Sequence, residues 1–92
     1  MATKKTEDVE AAKPETITFE FRDHTFLAVK DELESYETNK QVELGGPSMY
    51  AAFERIFAGN DVTYAKLAGG SFGDMIALVN AAFAAAAPKA KN

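Results

Sequence analysis

Residues 16–29 read TITFEFRDHTFLAV, and this stretch decides the fold class. Apolar and polar side chains alternate strictly from Thr16 to Arg22, with Ile17, Phe19 and Phe21 on one side and Thr18, Glu20 and Arg22 on the other. A period of two is the mark of a strand with one buried face. Asp23 and His24 interrupt the pattern and Thr25 to Val29 resumes it, which predicts a β-hairpin. With Asp23 and His24 as the central turn residues, Phe21 pairs with Phe26, Glu20 with Leu27 and Phe19 with Ala28. Ile17, Phe19, Phe21, Phe26 and Ala28 then share the core face. Leu27 and Val29 fall on the other face, where a lone hairpin leaves them wet.

On the carboxy-terminal side the period changes to that of helices. Residues 30–44 hold five acids around Leu33, Tyr36 and Leu44, and a short helix over residues 31–38, with Asp31 as its cap, is the reading they allow. Gly45-Gly46-Pro47 ends that segment. Pro47 and Ser48 then open a helix whose apolar stripe is Met49, Ala52, Phe53, Ile56 and Phe57, with Glu54 and Arg55 facing water and Gly59 as its stop. A shorter helix follows, capped by Asn60 or Asp61 and closed by Gly69-Gly70. Ser71 and Asp74 have capping-box spacing, and the last helix, residues 72–86, carries Phe72, Met75, Ile76, Val79 and Phe83 on one side. The fold class is therefore α+β, an N-terminal β-hairpin followed by a small bundle of three to four helices.

At the amino-terminal end, residues 1–15 mix Lys, Glu, Ala and Thr without periodicity and read as a disordered leader. The single domain spans residues 16–87, and residues 88–92 read as a frayed tail. A chain of 92 residues has room for one core, and 47% hydrophobic residues, including seven Phe and three Tyr, make that core aromatic.

Charge and residue inventory exclude several classes of function. Residues 15–46 hold eight acids against three bases, so the acidity is concentrated there. Nucleic-acid binding requires clustered Lys and Arg to displace counterions from phosphate, and no such stripe exists apart from short terminal lysine groups. Without cysteine there is no disulfide, thiolate zinc site or thiol nucleophile. The longest apolar stretch, residues 75–87, is broken by Asn80 and falls short of the roughly 20 residues a spanning helix needs. No membrane anchor is expected.

Catalysis has little to work with. His24 is the one histidine, and its place in the expected turn accounts for it without a catalytic or metal role. Asp31, Glu32, Glu34 and Glu37 lack the spacing of a calcium loop and read as an acidic surface. Gly45-Gly46 and Gly69-Gly70 match no phosphate-binding pattern and read as helix terminators. No catalytic residue, cofactor or metal is expected. The alanines of residues 81–87 allow close helix approach or an exposed groove, and high helix propensity alone also explains them. Leu27, Val29 and Tyr50 fall off the buried faces of their elements and are the candidate protein-binding residues.

The order of elements resembles a family. FEFRDHTFLAV over residues 19–29, an acidic stretch, AFERIFAGND over residues 52–61 and SFGDMIALVNAAF over residues 71–83 resemble the tail assembly chaperones of long-tailed bacteriophages. The likeness covers residues 17–83. His24 stands where relatives often carry glycine in the hairpin turn. The resemblance implies a protein of the host cytoplasm that binds the tape-measure protein, helps recruit tail-tube subunits and leaves the finished tail; Leu27, Val29 and Tyr50 are expected to contribute to such binding or to self-association. It also implies a longer form made by ribosomal frameshifting, of which this chain would be the short version. Two other readings stay open: a small structural tail or head–tail joining subunit retained in the virion, and an acidic inhibitor of a nucleic-acid-binding enzyme resting on residues 15–46.

Overall fold

The computed structural model describes residues 15–87; the expected tail and all of the leader but Glu15 lie outside it. Strands β1 (Thr16–Phe21) and β2 (His24–Val29) form an antiparallel hairpin, followed by five helices. These are α1 (Lys30–Glu34), α2 (Tyr36–Leu44), α3 (Gly46–Ile56), α4 (Asp61–Ala68) and α5 (Phe72–Ala86). The α+β class is as expected, with one helix more than the sequence reading allowed. Glu15 belongs to the domain, because its carbonyl accepts from the Lys30 N–H at 2.9 Å and extends the hairpin by one rung.

The hairpin turn differs from the expected one. Phe21 pairs with His24 and Phe19 with Phe26, so the turn residues are Arg22 and Asp23, with φ of 51° and 67°. Two successive residues with positive φ make the primed turn that matches strand twist. His24 is thus a strand residue whose ring meets that of Phe26 edge-on at 6.2 Å. Moving the turn centre by one residue shifts the pairing by two, and side chains alternate with a period of two. The core face of the hairpin therefore survives the change of register.

That face supplies the centre of an aromatic core. Phe26, fully buried, stacks on Phe19 at 5.8 Å and meets Tyr64 of α4 edge-on at 5.0 Å, while Phe57 meets Tyr64 at 5.4 Å. α5 lies across β1 and packs against α4 and α1. Its inward stripe is Met75, Leu78, Val79 and Ala82, the i, i+3, i+4, i+7 pattern of one helical face. Ile76 and Phe83 are half-buried and Phe72 is exposed, so the stripe is rotated from the expected one. Helix α3 buries Met49, Ala52, Phe53 and Ile56 as expected.

Residues 30–44 form two helices instead of one. Ser35 breaks them apart in an extended conformation and caps α2, its Oγ accepting from the Thr38 N–H at 3.2 Å. Asp31 lies within the first turn of α1 and is not its cap; Val29 holds that position without a side-chain hydrogen bond. Of the three expected anchors, Leu33 is buried, whereas Tyr36 and Leu44 are 80% and 69% exposed.

A polar cluster takes the place of the missing anchors. Thr38, 1% exposed, donates to Glu32 Oε1, and Arg55 donates to that same carboxylate oxygen, to the Thr38 hydroxyl and to the side-chain carbonyl of Gln41. Arg55, expected to face water, thereby joins α1, α2 and α3. Each buried polar atom in it has a partner, which is the condition under which such a cluster holds helices together.

Candidate functional site

The three candidate residues separate in space. Val29 is 7% exposed because β2 passes directly into α1 at that point, and it offers no surface to a partner. Leu27 stands 46% exposed on the outer face of the hairpin, opposite Thr18. Tyr50 is 55% exposed on α3 and belongs to a groove that Leu27 does not line.

The groove lies between α3, α4 and the start of α5 and encloses about 280 Å³. Local chemistry sets its walls. The Ser71 Oγ accepts from the Asp74 N–H at 3.0 Å and the Asp74 carboxylate accepts from the Ser71 N–H at 3.2 Å, a reciprocal cap that fixes where α5 begins. Phe72, the first residue after that cap, projects away from the core and its ring lies 6.1 Å from that of Tyr50. Tyr50 in turn meets Phe53 at 6.3 Å. Val62 of α4, 63% exposed, lines the groove, as do Phe53, Ala65 and Met75. Asp61 and Lys66 also line it.

The junction beside the groove is held by charge. Asp74 takes the Ser71 cap on one carboxylate oxygen and the Arg22 guanidinium on the other, at 2.6 Å. The Arg22 hydrogen bond, and after it those from Ser71, hold the Asp74 carboxyl below the usual carboxylate range. Gly69 completes the junction. Its φ is 141°, and a Cβ there would overlap the Asp74 carboxylate, so glycine is required both for backbone shape and for space.

Phe72 and Val62 are the groove residues that sequence reading misses. Phe72 fits the spacing of the expected α5 core stripe, but the observed stripe begins at Met75 and leaves Phe72 exposed. Val62 lies one residue after the start of an eight-residue helix, too short for a period to be read.

Among the described residues no group of three or more His, Asp or Glu side chains is placed to hold a metal ion. No single helix there is long and apolar enough to cross a membrane; α4 and α5 pass that test together but meet at 105°. No protein-family model, curated protein or solved structure matches the chain.

Proposed function

We propose that the protein works by binding another polypeptide, and that it is a tail assembly chaperone of a long-tailed bacteriophage acting in the host cytoplasm. The observation that carries the binding half is the groove of Tyr50, Val62 and Phe72, three large apolar side chains that are each more than half exposed around a concave floor. Exposed aromatic residues around a depression are what an amphipathic helix needs as a receptor. Asp61 and Lys66 beside it suit a ligand helix with charges of both signs flanking its apolar stripe. The tape-measure protein, long and helical, is the ligand that the family resemblance supplies, and tail-tube subunits are the second partner. Modest affinity at each site, repeated along a long ligand, gives tight overall binding.

Co-expression with the tape-measure protein tests this reading. The wild-type chain should co-purify with it, and a Tyr50→Ser, Phe72→Ser variant should not, while its circular dichroism stays unchanged. Undiminished co-purification of that variant would remove the groove from the proposal. Mass spectrometry of purified virions tests the chaperone role, since a retained subunit is found in them and a chaperone is not.

A further inference from the structure

We infer that Arg22, which lines no part of the Tyr50–Phe72 groove, is a positioning residue for it: its guanidinium latches α4 to α5 and so sets the spacing of the groove's walls. The consequence for binding rests on the reading of that groove as a polypeptide site. Val62 and Ala65 of α4 line the groove together with Phe72 and Met75 of α5, so the distance between these walls follows from how the two helices meet. They meet at 105° across Gly69 and Gly70, whose φ values are 141° and 95°. Two glycines in succession give this joint the least backbone resistance a chain can have.

Among the described residues Arg22 is the one side chain that hydrogen-bonds to both helices. Its Nη1 donates to the carbonyl of Ala68, the last residue of α4, at 2.8 Å and to Asp74 Oδ1, in the first turn of α5, at 2.6 Å. The guanidinium carbon lies 4.7 Å from the centre of the Phe21 ring, which seats it on the hairpin. Near its middle α4 is held by Tyr64, whose ring meets those of Phe26 and Phe57. Tyr64 thus acts as the pivot of α4 and Arg22 as the stop at its end. Without the guanidinium, Asp74 keeps the Ser71 cap on its other oxygen, so α5 still begins at the same residue while its angle to α4 is no longer tied. The Arg22 side chain is 48% exposed, so water and salt screen the latch. A surface interaction of this kind biases a conformational equilibrium by up to about fivefold, and a ligand that needs the latched spacing is weakened by no more than that.

Two measurements on the full chain test it, with Arg22→Gln, Arg22→Lys and the control Glu20→Gln each shown to be folded by circular dichroism. The first needs no ligand. In nuclear magnetic resonance spectra the methyl signals of Val62, Ala65 and Met75 should move in Arg22→Gln, return toward wild type in Arg22→Lys and stay in place in Glu20→Gln. Raising salt from about 10 mM to 1 M should carry the wild-type signals toward those of Arg22→Gln and leave the variant's own signals unchanged. The second is a titration with the tape-measure protein at low salt, in which Arg22→Gln should bind about two- to fivefold more weakly than wild type and Arg22→Lys should recover part of the loss. Methyl signals that Arg22→Gln leaves in place, or equal salt responses in wild type and variant, would overturn the inference. So would equal affinities of wild type and Arg22→Gln for the tape-measure protein. A wild-type chain that binds no tape-measure protein overturns that choice of ligand instead, and the methyl signals then decide the latch by themselves.

Discussion

Arg22 and Asp74, 52 positions apart, meet at 2.6 Å and fasten the tip of the hairpin to the first turn of α5. The same Arg22 nitrogen donates to the Ala68 carbonyl at 2.8 Å, at the end of α4. Arg22 has a φ of 51°, a left-handed conformation that costs a side-chain-bearing residue about 1–2 kcal/mol. Its contacts with two helices work against that cost.

The Asp74 carboxyl is held below its usual range when folded. Its contribution to stability is complete above the unfolded carboxylate pKa of about 4 and is lost as pH falls through the lower folded value. Asp74→Asn should lower the urea midpoint at neutral pH, and the gap to wild type should narrow on acidification below about pH 4. A gap that holds constant down to the acid limit would show that the ion pair contributes nothing.

At the end of α3 the Gly59 N–H reaches back to the Glu54 carbonyl at 2.8 Å and the Ala58 N–H to that of Arg55 at 3.2 Å. This double closure wants a left-handed residue at its first position, normally glycine, and here it is Ala58 with a φ of 52°. Ala58→Gly should stabilise the domain by about 0.5–1 kcal/mol. Thermal melting should register a rise of a few degrees, and a fall would mean that unfolded-state entropy outweighs the relieved strain.

Phe26 touches rings on both β1 and α4 and has no exposed area. Phe26→Ala should cost about 3–5 kcal/mol, a large share of what a domain of this length possesses. Far-ultraviolet dichroism should show substantial unfolding at physiological temperature. Phe26→Leu, which keeps most of the volume, should remain folded with a lower midpoint.

Thr38 is the buried member of the Glu32–Gln41–Arg55 cluster. Thr38→Val keeps the shape but strips a donor and an acceptor from Glu32 and Arg55, and should destabilise by about 1–3 kcal/mol. Thr38→Ser, which retains the hydroxyl, should recover much of this in chemical denaturation. A Thr38→Val variant as stable as wild type would show that the hydroxyl contributes nothing.

Some of this protein was settled by neighbouring residues alone. Alternation over residues 16–22 named the inward face of the hairpin, because the pleat repeats every two residues whatever the rest of the chain does. Pro47 and Ser71–Asp74 marked the starts of α3 and α5, because they act on backbone groups within one turn. Tyr50 was legible as exposed since α3 has a clear opposite stripe. Other features depended on parts of the chain far away. The hairpin register follows from what Arg22 and Phe26 reach on α4 and α5. Val29 is covered and Phe72 uncovered because of where other elements end, and the break at Ser35 leaves Tyr36 and Leu44 outside while Arg55 goes in. Periodicity tells which side chains share a face, but burial is decided by what lies on top of that face, and only the assembled chain supplies it.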